Sequence, residues 1–281
     1  MSRKLYNILI AVFAIIFLIS AFMVGNYLIE SIKAQSDYDE ITQLMESGKN
    51  QVQSTVPFIP PLQIIPEISD STAPTTPTTS TVPDETTATP TILPEYAALY
   101  LQNDDMVGWI EIEGTKLNYP VMQTPDEKDY YLKRDFNKQN SDHGAIYVQE
   151  NCDIWTPSDN VVIYGHNMKD GSMFATLLKY KKESYWQEHR FIYFNTLLER
   201  HTYEIVAVFK TTATIGKGFD YHLFVEAEDE EEFNEYIEKI KKLDYYDTGV
   251  TAEYGDKLIT LSTCEYTLTN GRLVVVAKRV N

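Results

Sequence analysis

Apolar positions fall into three patterns along the chain, and each predicts a different kind of structure. From Leu5 to Ile29 they run almost unbroken and without a charge, as LYNILIAVFAIIFLISAFMVGNYLI. About 20 apolar helical residues cross the ~30 Å hydrocarbon layer, so residues 5–29 predict a transmembrane helix. A cleaved signal peptide is the rival reading, but its apolar stretch runs only ~7–15 residues, and no clear A-x-A site follows here. Arg3 and Lys4 precede the segment and Glu30 follows it. The positive-inside tendency then leaves residues 1–4 in the cytoplasm and everything beyond residue 30 outside the cell.

Over residues 30–91 the apolar pattern lapses. Ile41, Leu44 and Met45 have weak helical spacing, which predicts a short juxtamembrane helix within 31–56. Nine of the twelve prolines lie between Pro57 and Pro94, among threonines in stretches such as STAPTTPTTSTVPDETTATPT. Such a segment lacks the periodicity that builds a core and predicts a disordered stalk. At ~3.1 Å per residue in polyproline II, it could reach roughly 100 Å and carry a folded domain well above the membrane.

From about Ile92 to Asn281 the pattern becomes short β-branched and aromatic runs separated by turns. These predict strands at 107–112, 117–122, 144–148, 160–165, 190–195, 202–211, 257–263 and 272–280. Helices are expected at 94–103, 171–181 and 229–243. The last opens on acids and ends near Lys239, Lys241 and Lys242, as the helix dipole favours. Many short strands with few helices predict a closed or nearly closed β-barrel.

Composition narrows the function classes. A 43% hydrophobic content is ordinary for a chain with a real core, and the net charge of −17 argues against a nucleic-acid partner. Two cysteines, Cys152 and Cys264, exclude a disulfide framework and a metal site built mainly from thiolates. No metal or cofactor is expected.

A hydrolase or acyl transferase without a metal needs a nucleophile, a proton carrier and a donor for the developing oxyanion. Three strand ends supply these types: Cys264 closes KLITLST, His166 follows NVVIYG, and Arg272 opens RLVVVAKRV. Barrel strand ends gather at one rim, where distant residues can converge. Each residue also has a bland reading. A lone cysteine at the end of an apolar strand packs as a small hydrophobe, and Arg272 follows an Asn270-Gly271 turn. The other histidines, His143, His189, His201 and His222, stand in polar or turn-like surroundings.

The sequence around these residues alters that balance. TLSTC at 260–264, followed by Glu265-Tyr266 and by Arg272 in NGRLVVVAKRV, closely resembles the active-site segment of sortases, the cysteine transpeptidases of Gram-positive cell surfaces. VVIYGHNM at 161–168, running into KDGSMFATLLKY, resembles the catalytic-histidine segment of the family, particularly class B. DDMVGWIEIEGTKLNYPVMQ and DYYLKRDF also look like class B sequence, so the resemblance covers roughly residues 94–281.

The resemblance implies an eight-stranded sortase-type barrel over 92–281, with a few peripheral helices. It implies an enzyme that cuts a sorting signal near the carboxyl terminus of secreted proteins after its threonine, forming a thioester on Cys264. An amine of peptidoglycan or its lipid-linked precursor would then take the acyl group. His166 would carry protons, and Arg272 would hold the oxyanion together with the backbone N–H of Glu265. Leu132, Ser262 and Glu265 would be substrate-groove residues. Cys152 has no implied role, and both cysteines are expected to be reduced. The signal is expected to be NPxTN-like or PxTG-like. A pilus-polymerising sortase, an inactive sortase-like binding module and a hydrolytic cysteine protease are the alternatives.

Overall fold

In a computed structural model the structure describes residues 3–50, 56–58, 90–214 and 216–281. Eight strands close a barrel: β1 (Met106–Glu111), β2 (Asn118–Met122), β3 (Ile146–Val148), β4 (Asn160–Tyr164), β5 (Phe191–Thr196), β6 (Thr202–Thr212), β7 (Leu258–Cys264) and β8 (Gly271–Arg279). Their order around the barrel is β1-β2-β3-β4-β7-β8-β6-β5, and β5 pairs with β1 to close it. Two neighbouring pairs are parallel, β2 with β3 and β4 with β7; the others are antiparallel. All eight sequence-predicted strands are present within two residues of their expected ends.

The burial patterns explain the sequence patterns. β5 alternates buried and more exposed positions, as a strand with one wet face does. β7 and β8 are buried almost throughout, which is why they read as the continuous runs LITLST and LVVVA. Inside, residues such as Val162, Leu261, Val274 and Phe209 are fully buried. Of the helices, α2 spans Pro94–Gln102, α3 Glu183–Glu188 and α4 Glu230–Leu243. The α4 helix caps itself through Asp229, which accepts from the Glu232 N–H, and buries Phe233, Tyr236, Ile237 and Ile240. The helix expected over 171–181 is instead a 3-10 helix at Phe174–Lys181.

Two expectations change at the amino-terminal side. The apolar segment and the juxtamembrane segment form one helix, α1 (Arg3–Lys49), long and apolar enough to cross a membrane. Its first part exposes large apolar side chains such as Phe13, Phe17 and Phe22. Its later part turns Tyr38, Ile41, Met45 and Gly48 inward at three- and four-residue spacing. Gly48 lies so close to α2 that an added Cβ would stand 2.6 Å from Glu95 Cα. The expected short separate helix is therefore the docked end of a longer one.

Most of the expected stalk, residues 59–89, lies outside the described residues. The chain on either side of it comes together: Pro57 bridges Thr91, Phe58 N–H donates to Pro90 at 2.9 Å, and Ile92 N–H to Val56 at 3.1 Å. Phe58 also packs its ring 4.3 Å from that of Trp155. The docked end of α1 lies against α2, with Gly48 packed on Glu95.

Candidate active site

The site follows from register. In the parallel pair β4–β7, Tyr164 stands beside Ser262. His166 follows two residues after the end of β4, at the same end of this parallel pair as Cys264, the last residue of β7. In the antiparallel pair β7–β8, Cys264 faces Arg272 directly. Neighbouring strands lie ~4.8 Å apart, so His166 and Arg272 flank the cysteine at one rim. Directly opposed residues of an antiparallel pair share a face, so the thiol and the guanidinium project together.

Side-chain bonds fix this alignment beyond the strand ends. Thr263 Oγ1 donates to the Gly165 carbonyl at 2.7 Å, and Gly165 N–H donates to Ser262 at 3.2 Å. Asn167 Nδ2 donates to the Cys264 carbonyl at 3.0 Å. His166 is thus held between two residues that are each tied to the cysteine's strand. Gly165 is needed there, because an added Cβ would come within 2.6 Å of the Phe174 ring.

The His166 ring is half-buried, and its Nε2 lies 2.7 Å from the Leu132 carbonyl. A carbonyl only accepts, so Nε2 carries the hydrogen and Nδ1 keeps the free lone pair. Burial pushes the imidazole below its usual 6.5, with Lys133 and His143 adding to the effect; the Leu132 carbonyl and Asp142 oppose it. At neutral pH His166 is therefore an uncharged base.

Arg272 is half-buried and has no carboxylate partner among the described residues. Its Nη1 donates to the carbonyls of Gly271 at 3.0 Å and Asn270 at 3.4 Å, which leaves other N–H groups of its fork uncommitted. A permanent cation beside a cysteine, with no carboxylate partner among the described residues, can hold an oxyanion formed there.

The remaining sequence-expected residues are placed unevenly. Leu132 is 40% exposed and lies against the site through its own carbonyl. Ser262 is buried, and its hydroxyl pairs with the Tyr221 hydroxyl at 2.6 Å. Glu265 is 2% exposed; its carboxylate takes Lys181 Nζ at 2.5 Å and both the N–H and hydroxyl of Thr267. Burial works against its charge, but the bonds from Lys181 and Thr267 outweigh it and hold the carboxyl at about 2. The side chains of Ser262 and Glu265 thus support the rim from within the protein and do not line an open groove.

The Glu265 N–H, expected as an oxyanion donor, is already given to the Gly271 carbonyl at 2.9 Å. The β7–β8 ladder continues one residue past the cysteine and consumes it. That approach is so tight that a Cβ on Gly271 would stand 2.1 Å from the Glu265 carbonyl.

Three residues of this arrangement are absent from the sequence reading. Tyr221, in a short 3-10 turn between β6 and α4, is buried against Ser262, and Arg272 and Cys264 both act on its phenol. Asn167 was visible only as part of the YGHNM run. Lys181 reaches Glu265 from the 3-10 helix that follows the histidine loop, and nothing in its local sequence marks it. Both cysteines are free thiols.

The family model described as Sortase domain matches residues 110–280. Sortase B of Staphylococcus aureus is 31% identical over 189 residues, covering 66% of this chain and 75% of that protein. Sortase B of Listeria monocytogenes is 36% identical over 180 residues, covering 63% and 71%. A crystal structure of sortase B from Bacillus anthracis matches with a TM-score of 0.60 and 36% identity, covering 68% of this chain and 86% of that one. With its closed eight-stranded barrel and its family match over 110–280, this chain belongs to the sortase family of cysteine transpeptidases, with class B sortases as its relatives.

Proposed function

We propose that this sortase is anchored in the cell membrane by residues 5–29, with its barrel outside the cell, and cuts a sorting signal of secreted proteins after threonine. The observation that carries the reading is the pairing of Cys264 with Arg272 across β7 and β8, with the chain on either side of His166 tied to β7 through Gly165 and Asn167. Neutral His166 takes the proton of the Cys264 thiol, and the thiolate adds to the threonine carbonyl. The resulting oxyanion is held by the Arg272 guanidinium. As the C–N bond breaks, the imidazolium gives its proton to the leaving amine, and a thioester remains. An amine of peptidoglycan or its lipid-linked precursor then loses a proton to His166 and displaces the thiolate, forming a new amide. The exposed Leu132 side chain serves as groove wall, while Ser262 and Glu265 hold the rim in shape. The acidic surface, with a net charge of −17, fits a substrate recognised as a peptide and not as a polyanion.

The test incubates the full chain with peptides carrying NPxTN-like and PxTG-like signals, with and without triglycine, and identifies products by mass spectrometry. Cleavage after threonine and an amine-dependent transfer product are expected. Cys264→Ala should lower turnover by on the order of 10⁶. Undiminished cleavage by that variant would sink the mechanism.

A further inference from the structure

The helix that leaves the membrane also reaches the histidine loop. Ser31 stands two residues past the end of the apolar run at Ile29, about 3 Å along the helix. Its hydroxyl donates to Asp170 Oδ2 at 2.6 Å. Asp170 lies at the tip of the loop that begins at His166 and closes where Phe174 N–H donates to the His166 carbonyl at 2.9 Å. The same carboxylate oxygen takes His143 Nε2 at 2.8 Å, and Oδ1 takes the N–H and hydroxyl of Ser172. Every oxygen of Asp170 is thus committed to shaping this loop or to tying it to its neighbours.

Two turns further along α1, Tyr38 makes a second and a third connection. Its hydroxyl donates to the Gly144 carbonyl at 2.9 Å. Gly144 has φ 59° and lies so close to Leu132 that an added Cβ would stand 2.7 Å from the Leu132 carbonyl. That carbonyl is the acceptor for His166 Nε2. The Tyr38 ring also meets Tyr119 edge to face at 5.1 Å, and the Tyr119 hydroxyl accepts from the N–H of Met173, whose φ is 54°. A non-glycine residue in the left-handed region carries strain that its surroundings must offset. The helix face that makes these contacts therefore touches the loop after His166 on one side and the backing of its carbonyl acceptor on the other.

The geometry points to α1 as a positioning element of the active site: through Ser31–Asp170 and Tyr38–Gly144, the anchor helix fixes the orientation of the His166 ring. This inference rests on the proton-carrying role proposed for His166. Its consequence is that anchor and chemistry are one unit. The helix that holds the enzyme in the bilayer also sets the geometry of proton transfer, and displacing a catalytic group by about 1 Å can cost up to ~10²-fold in rate.

The test uses the full chain in detergent micelles, with the quenched form of whichever NPxTN-like or PxTG-like peptide is cleaved in the product analysis. Ser31→Ala combined with Tyr38→Phe removes two hydroxyls and leaves the packing rings in place. It should lower kcat about tenfold with KM held within about twofold. Ser31→Thr, which keeps the hydroxyl that donates to Asp170, should hold kcat within about twofold of native. A double variant with native kcat, beside an inactive His166→Ala, would overturn the positioning role and leave the mechanism standing. A loss confined to KM would overturn it as well. Native turnover by His166→Ala would remove the mechanism itself.

Discussion

The two thiols of this chain occupy opposite environments. Cys152, in the loop between β3 and β4, is 5% exposed; its sulfur accepts the Val162 N–H at 3.4 Å and lies 3.7 Å from the Asn160 carbonyl. Burial pushes its pKa up to about 12, against the partial help of the Val162 N–H. Its thiol therefore stays protonated at neutral pH. Cys264 ends a strand at the rim, half-exposed, opposite an arginine with no carboxylate partner among the described residues and near a histidine whose pKa burial lowers. The residue type is the same in both places. On the proposed mechanism, what separates a packing atom from a nucleophile is the neighbouring charge and the access of a substrate.

The contrast can be broken most severely at the arginine. Arg272→Lys keeps the charge but loses the planar fork, and kcat should fall by ~10²–10³ in the same peptide assay. A lysine variant with native kcat would mean that charge alone, without fork geometry, distinguishes the Cys264 rim.

The comparison sharpens at the other thiol. Cys152→Ala leaves the buried Val162 N–H without its sulfur acceptor, which should cost about 1–2 kcal/mol in denaturant unfolding while peptide turnover stays within about twofold. In the native protein, iodoacetamide at neutral pH should modify Cys264 and spare Cys152, as read by peptide mass spectrometry. Reaction at Cys152 under folded conditions would contradict the assignment of the two roles.

The smallest effect concerns the histidine. With its pKa below 6.5, His166 is the neutral base at pH 7, so kcat/KM should rise with pH along an acidic limb lying below 6.5. Lys133 is one of the groups that lowers the pKa, and it pairs with Asp142 at 2.9 Å. Lys133→Met removes the cation and frees Asp142, two changes of the same sign, so the limb should move upward. At pH 7 the rate should change by less than about twofold. A limb that moved downward would mean that the titrating group is not His166.

Much of the barrel was legible because its signals are local. A strand announces itself through five or more neighbouring β-branched and aromatic residues, and β7 and β8 did so without ambiguity because both of their faces are buried. Cys264, His166 and Arg272 stood out because each ends, follows or begins such a run. The α1 apolar segment was legible for the same reason.

What the local sequence could not carry is which separate segments meet. Ser31 and Asp170 lie 139 positions apart, Asn167 and Cys264 97, and Lys181 and Glu265 84. No periodicity records such pairings. The use of the Glu265 N–H by Gly271 depends on the β7–β8 register running one residue beyond the cysteine, and the pairing of Pro57 with Thr91 joins positions 34 residues apart. The sequence by itself determined the long apolar helix, the eight strands and the three candidate residues at or next to their ends, because nearest-neighbour chemistry encodes them. Only the tertiary structure decided that the end of α1 docks onto the domain, that Ser262 and Glu265 face inward, and that α1 touches the histidine loop. Those outcomes are set by register and long-range packing, which no local pattern specifies.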